Sequence, residues 1–394
     1  MGHWKDKYVI GITGNIATGK SLVRKMLEHL GASTIDADGL AHQVMLPGAP
    51  AYRPVIEWFG KWIVDKDGRI DRNRLGAVVF SHPLALQRLE ALTHPIISKG
   101  IDTLITRAKQ KVVVVEAIKL LEGPLAKQVD AIWVVDAPPE VQLKRLMEKR
   151  KMSEAEARKR IAAQNPQAEK IKVAHVVINN GGNPNDTFAQ VQAEWKKIFE
   201  TQKAPEQPAE PETTVVKVSP TTPKSTQEIK IDELKIRRPR PTDFEDIARI
   251  LNEARGTKLT KEDVMMSFSE TSYLIAEANN QTVGVISFVV ENLITQSSEI
   301  AVIPNAPKAP IVSNLIRQME AAADSLQSEV AFIYLYENKD DEYISLLQSE
   351  SGYEILERVE DIKFPAWREA LRSRPENTKI LYKKLREDRI LTPF

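Results

Sequence analysis

"GITGNIATGKS", residues 11–21, contains the pattern G-x-x-x-x-G-K-[ST], and its flanks decide how it is read. Residues 7–13 (KYVIGIT) form a short, β-branched, nearly charge-free run, the mark of a buried parallel strand. Residues 21–30 (SLVRKMLEHL) place apolar side chains at helical spacing and stop at Gly31. Strand, glycine loop and helix are the setting in which this pattern cradles a polyphosphate. Gly14 and Gly19 let the backbone wrap closely, so that successive N–H groups and the helix N-terminus face negative charge. The stretch Gly14, Asn15, Ile16, Ala17, Thr18, Gly19, Lys20, Ser21 and Leu22 is therefore the expected polyphosphate cradle, with Lys20 reaching the β- and γ-phosphates and the Ser21 hydroxyl on Mg²⁺.

Outward from the loop, 394 residues suffice for two or three domains with buried cores. A net charge of +1 advertises neither nucleic acid nor a membrane surface as partner. No apolar run approaches the length of a membrane span, and the opening MGHWKDK lacks the apolar core of a signal peptide, so a soluble cytoplasmic protein is expected. Cysteine is absent, which excludes disulfides, thiolate zinc sites and cysteine nucleophiles. Residues 201–233 change character, with five prolines, many Thr, Glu and Lys and no aromatic residue, and read as a disordered linker between domains at 1–200 and 234–394.

Within the first domain, residues 32–38 (ASTIDAD), 111–116 (KVVVVE), 131–136 (AIWVVD) and 175–179 (HVVIN) are short apolar runs, each followed by turn or helix signals. They predict βα units around a parallel sheet covered on both faces, with ligands beyond the carboxyl ends of the strands. That rim gathers the loop with Asp36, Asp38, Glu116 and Asp136. If the strand continues through residue 38, Asp36 and Asp38 share a face; alternatively Asp36 caps a helix beginning near Gly39. A strand-end aspartate opposite the loop suits phosphoryl transfer, which needs a carboxylate to position the attacking hydroxyl and take its proton. Residues 144–172 hold ten basic side chains against four acidic ones, either a solvated helix face or a mobile lid whose arginines close over donor phosphates.

The motifs GNIATGKS, IDADGLAHQVMLPGAPAY, DGRIDRNRLGAVVF, LTHPII, QLKRLM, RIAAQ and INNGG together resemble the dephospho-coenzyme A kinase family over residues 8–199. The resemblance implies a P-loop kinase with a three-layer parallel sheet, a helical acceptor region and a lid. It implies ATP-dependent phosphorylation of the ribose 3′-hydroxyl of dephospho-coenzyme A, the last step of coenzyme A synthesis, with Mg²⁺ as cofactor. It makes Asp38 the carboxylate that meets the acceptor hydroxyl and Lys20 its catalytic companion, puts Arg72 and His94 on the acceptor side, and assigns Arg145 and Arg160 to the lid. The chain departs from the pattern at Lys119, where a proline is usual, at Lys149 followed by Arg150, which stand in for a lid arginine, and at His175.

In the second domain, residues 235–246 (KIRRPRPTDFED), a helix through Ala254, and TSYLIAEANNQTVGVISFVV resemble the opening of the GNAT acetyltransferase fold, a smaller mixed α/β domain. That fold holds a pyrophosphate on a glycine-containing turn after its central strand. Here residues 304–310 (PNAPKAP) contain three prolines and no glycine, which removes N–H donors. A binding or structural module, with an acyl-coenzyme A as its ligand if it has one, is expected rather than an acetyltransferase. For the whole chain, a different nucleoside or metabolite kinase and a nucleotide-binding regulator without turnover stay open as alternatives, as does the oligomeric state.

Overall fold

In the computed structural model, residues 3–200, 214–217, 233–268 and 271–387 are described. The chain opens with β1 (Tyr8–Thr13), α1 (Lys20–His29), β2 (Ser33–Asp36) and α2 (Ala37–Gln43), then a helical region of α3 (Tyr52–Phe59), α4 (Arg72–Ser81) and the long α5 (Pro83–Arg107). It returns to the sheet through β3 (Val112–Glu116) and β4 (Ala131–Asp136), crosses α6 (Pro139–Arg150), α7 (Glu154–Ala162) and α8 (Gln167–Lys172), and ends with β5 (Val176–Asn179) and α9 (Pro184–Glu200). The five strands are parallel in the order β2-β3-β1-β4-β5.

Strand alternation explains the continuous apolar runs. Val9, Val113, Val115, Ile132 and Val134 face α5, which contributes Ile101, Leu104 and Ile105. Ile10, Ile12, Val114, Trp133 and Val135 face the opposite layer, built from Val23 and Leu27 of α1 and Val191 and Trp195 of α9. Both faces are dry, so each strand is apolar throughout, as parallel sheets require. The helical region has a core of its own around Val55, Phe59, Ile63, Leu75 and Val79.

The second half contributes β6 (Thr214–Lys217), β7 (Glu233–Arg237), α10 (Phe244–Arg255), α11 (Lys261–Ser267), β8 (Ser272–Ala278), β9 (Gln281–Glu291) and β10 (Ile294–Val302). Then follow α12 (Lys308–Ser325), β11 (Val330–Tyr336), α13 (Asp341–Ser351), β12 (Glu354–Leu356), α14 (Pro365–Ala370) and β13 (Thr378–Lys384). They form a mixed sheet in the order β12-β13-β11-β10-β9-β8-β7-β6. Four residues of the expected linker, Thr214–Lys217, pair with β7 as the edge strand; the rest of that stretch, apart from Glu233 in β7, lies outside the described residues. The β8–β9 turn expected at Asn279–Asn280 is present, both residues having positive φ (51° and 60°), as a tight hairpin demands. At the centre, β10 and β11 run parallel and pair only from Ile294 to Ser297, and beyond a bulge between Gln296 and Glu299 β10 pairs only with β9.

The two halves touch along a broad face. Gln43 Nε2 donates to the Asn292 carbonyl (2.6 Å), Gln327 Nε2 to the Leu104 carbonyl (2.7 Å), and Lys109 pairs with Asp324 (2.5 Å). Arg69 pairs with Glu369, and Arg372 with Asp67 (3.2 Å).

Candidate active site

The glycine loop owes its shape to two crowded positions. A Cβ on Gly14 would lie 2.4 Å from the Val135 carbonyl oxygen, and one on Gly19 would lie 2.0 Å from Asn180 Nδ2. Both glycines also have positive φ (153° and 96°), and at Gly19 that value is one L side chains avoid. Helix α1 begins at Lys20 with no side-chain cap, so its first-turn amides have no intrahelical acceptors and face the loop's hollow. The buried Lys20 ammonium donates to the Asn15 carbonyl (3.2 Å). Burial lowers its pKa, with Lys170 and Arg150 adding to that, while Glu116 and Asp38 raise it.

The residues of 32–38 do not continue as a strand. β2 ends at Asp36, whose carboxylate accepts from the Asp38 and Gly39 amides (both 3.0 Å) and so caps α2. Asp38 therefore sits in the first helical turn, not on the strand face beside Asp36. This geometry still brings it to the loop: its Oδ2 accepts from the Ile118 amide (3.2 Å), just past the end of β3, and its charge is felt at Lys20. Partial desolvation raises the Asp38 pKa; Asp36 and Glu116 push it the same way, and the Ile118 amide and Lys20 oppose.

Beneath the loop, Glu116 at the end of β3 joins two groups of α1. It accepts from the Ser21 hydroxyl (3.1 Å) and from Arg24 Nε (2.8 Å). Ser21 and Glu116 supply hard oxygen donors of the kind a small divalent cation takes, and no group of three His, Cys, Asp or Glu able to hold a metal ion is found among the described residues. A cation here would arrive with phosphate oxygens as its remaining ligands.

The basic run folds as α6–α8 against the loop. Arg145 donates to the carbonyls of Ala17 (3.1 Å), Thr18 (3.2 Å) and Asn180 (2.7 Å), so it fastens the loop's backbone to the segment after β5. Arg160 pairs with Glu156 on the exposed side of α7 (2.8 Å), and Arg150 is exposed at the end of α6. Arg72 begins α4 beside His42 and is exposed; His94 is exposed on α5, one residue before Pro95. Lys119 pairs with Glu90 of α5 (3.2 Å), and His175 accepts the Ile132 amide on Nδ1 (3.0 Å) as part of the β4–β5 edge.

Sequence reasoning gave no role to Gln164, Gln167, Lys170 and Asn180. Gln164 accepts the Ile16 amide (2.7 Å), Gln167 accepts the Asn15 amide (3.0 Å), and Lys170 donates to Asn15 Oδ1 (2.8 Å). Asn180 donates to the Thr18 carbonyl (2.7 Å). Gln164 lies within RIAAQ and Asn180 within INNGG, while Gln167 and Lys170 lie in the basic run 144–172.

The model of the dephospho-CoA kinase family matches residues 8–186. The dephospho-CoA kinase of Geobacter metallireducens is 45% identical over 195 residues, which cover 49% of this chain and 97% of the relative. The chain belongs to the dephospho-CoA kinase family. A second relative of that name, from Carboxydothermus hydrogenoformans, is 45% identical over 186 residues, 46% of this chain and 90% of its own. Among solved structures, dephospho-CoA kinase from Campylobacter jejuni is 29% identical with a TM-score of 0.39, covering 50% of this chain and 99% of its own. Over the other half, the PaiA N-acetyltransferase from Thermoplasma acidophilum is 13% identical with a TM-score of 0.31, covering 38% of this chain and 98% of its own. The family's activity, the final step of coenzyme A synthesis, belongs to the N-terminal half of this enzyme.

Proposed function

We propose that Asp38 and Lys20 carry the transfer of the ATP γ-phosphoryl to the ribose 3′-hydroxyl of dephospho-coenzyme A. The observation behind this reading is their juxtaposition: a carboxylate of raised pKa and a buried ammonium, each felt by the other, at the open end of β1 and β3. Asp38 takes the hydroxyl proton as the 3′-oxygen attacks, and the bond between the γ-phosphorus and the bridging oxygen breaks to release ADP. Lys20 and the amides at the start of α1, from Gly19 to Leu22, offset the charge on the phosphates, while the Asn15 and Ile16 amides are taken by Gln167 and Gln164. Mg²⁺, held from the protein side by Ser21 and Glu116, would neutralise charge on the β- and γ-oxygens. Arg150 and Arg160 close over the nucleotide, Arg145 keeps the loop in shape, and Arg72 and His94 frame the acceptor. Cytoplasmic placement agrees with the absence of cysteine, and no helix among the described residues is long and apolar enough to cross a membrane.

We assign residues 1–200 to the kinase domain, 201–233 to a linker and 234–394 to a GNAT-like domain without acetyltransferase activity. The fork between β10 and β11 supports the last assignment, because side chains of the domain itself fill it. Arg255 bridges Glu299 (3.1 Å) and the buried Asp340 (2.6 Å), and the Tyr343 hydroxyl accepts the Val302 amide (3.1 Å). Incubating the full chain with ATP, Mg²⁺ and dephospho-coenzyme A, and separately with acetyl-coenzyme A and generic amines, tests both assignments. ADP release that requires dephospho-coenzyme A, with no free thiol from acetyl-coenzyme A, is expected; thiol release would refute the second assignment, and ADP formation indifferent to the acceptor the first.

A further inference from the structure

A chain of buried polar groups leads from the second domain to the phosphate loop. It starts at the end of α1, where the Glu28 carboxylate is 3% exposed and thus needs compensation from protein groups. Two contacts reach Glu28 across the interface: Ser272 Oγ donates to the carboxylate at Oε1 (3.2 Å), and Arg238 Nη1 donates to the backbone carbonyl. On the kinase side, Lys25 donates to Glu28 (3.4 Å), and Thr34 Oγ1 donates to Glu28 Oε2 (2.8 Å). Thr34 accepts in turn from Arg24 Nη1 (3.5 Å), and Arg24 Nε donates to Glu116, which accepts the Ser21 hydroxyl. Arg24, Lys25, Glu28 and Glu116 are each less than 9% exposed, so water cannot substitute for a lost partner at modest cost.

We infer that the second domain is a positioning element of the kinase site: through Ser272 and Arg238 it holds Glu28, and through Thr34, Arg24 and Glu116 that carboxylate orients the Ser21 hydroxyl. Arg238 and Ser272 are positioning residues, since they touch neither substrate. The inference rests on the reading of Ser21 as the metal-side hydroxyl. It gives the fused domain work to do although its own fork is filled. Two charges of the network, Arg24 and Glu28, lie on successive turns of α1, so the side-chain path runs along one face of that helix.

The test uses the full chain and ADP binding by calorimetry, with Mg²⁺ and with EDTA, next to thermal melting. Arg238→Met and Ser272→Ala should each weaken ADP binding in Mg²⁺ by about two- to thirty-fold, the span of coupling through such networks, and leave binding in EDTA unchanged. Arg238→Lys should restore most of the loss. In a Ser21→Ala background, Arg238→Met should change ADP affinity no further. Equal losses with Mg²⁺ and EDTA, a loss that persists in the Ser21→Ala background, or a lower melting temperature with unchanged affinity would each overturn the inference. If Ser21→Ala itself left Mg²⁺-dependent binding intact, the reading of Ser21 would fall, and the inference with it.

Discussion

Two strand–turn–helix units face the same problem in this molecule and solve it oppositely. In the first, β1 leads through Gly14–Gly19 into α1; in the second, β10 leads through Pro304–Pro307 into α12. Each helix starts on a lysine, Lys20 or Lys308, and neither has a side-chain cap. Around Lys20 the turn is built from residues with positive φ, Gly14, Ala17 and Gly19, which turn the backbone toward the hollow. Around Lys308 the turn has proline at 304 and 307, with a third at 310 inside the first helical turn, so donors are missing where the first unit supplies them. The cations differ as well. Lys308 is paired with Glu342 and lies over the Tyr343 ring, whereas Lys20 is held by a backbone carbonyl and keeps its charge for a ligand. The contrast supports the proposal that the first unit, and not the second, is the phosphate site.

The contrast is sharpest at the carboxylates: Asp38 accepts a backbone amide near Lys20, whereas Glu342 is ion-paired with Lys308. Asp38→Asn should lower kcat by about 10²–10⁴-fold, the usual cost of a lost general base, with ATP affinity nearly unchanged in a binding titration. Because its carboxyl is raised above the ordinary aspartate value, the acid limb of the parent enzyme's activity should lie higher in pH than an ordinary aspartate would set it; the residual activity of the asparagine variant should lack that limb. Next in size, Lys20→Ala should cost about 10²–10³-fold in kcat/KM, while Lys308→Ala leaves the kinase constants within about twofold, since it breaks only a half-exposed ion pair. Comparable losses from both would erase the distinction drawn here.

A smaller effect separates the halves by pH. His29, packed against the rings of Phe188 and Phe268, has its imidazole pushed down to about 3 by burial and by Arg238. The folded state binds that proton less readily than the unfolded chain, so stability is full above about pH 6.5 and declines as pH falls toward 3, by about 1.4 kcal/mol per unit where the slope is complete. His42, lowered by burial and Arg72, adds with the same sign. The urea midpoint should therefore drop between pH 7 and pH 5, and His29→Phe should reduce that drop. Last, replacing Pro304 and Pro307 by glycine should leave acetyl-coenzyme A binding undetected by calorimetry, because Arg255, Asp340 and Tyr343 still fill the fork. Binding restored by the glycines alone would show that the turn was the whole obstacle.

What could be read from the chain follows from how local each feature is. The loop, its strand and its helix are specified within residues 8–29, and β4 was delimited at both ends because Ala131–Asp136 is buried on both faces. Asp38 stands in the first turn of α2 and not at a strand end, and of the two readings open for Asp36 the helix cap is the one observed. The Asp36 cap turns the chain into α2 two residues early, and a cap competes with a strand end in any Asp-x-Asp sequence. The Glu28–Arg24–Glu116 network was not legible, because its members are paired by the stacking of α1 on β2 and β3, and a charged residue in an amphipathic helix looks solvated until its neighbours are known. The interface was hidden for a related reason: Asn292 and Leu293 are hairpin residues like any others, until Leu293 is found among the apolar side chains on the α5 face of the kinase sheet.

That last contact bears on how the protein is made. Residues 1–200 leave the ribosome before the hairpin that completes their packing has been synthesised. Until it arrives, the kinase domain carries an open notch lined by Leu40 and Leu104 together with Arg24, Thr34 and Gln43, and Gly39 lacks the neighbour that lies 2.6 Å from where its Cβ would be, the Asn292 side chain. A nascent domain with such a notch is exposed to the wrong partner for as long as translation of the next hundred residues takes, several seconds at about 5–20 residues per second. Premature termination between residues 201 and 233 would leave the notch permanently open. The fusion thus makes the first half of the chain depend, for its protection, on the second half being translated in turn.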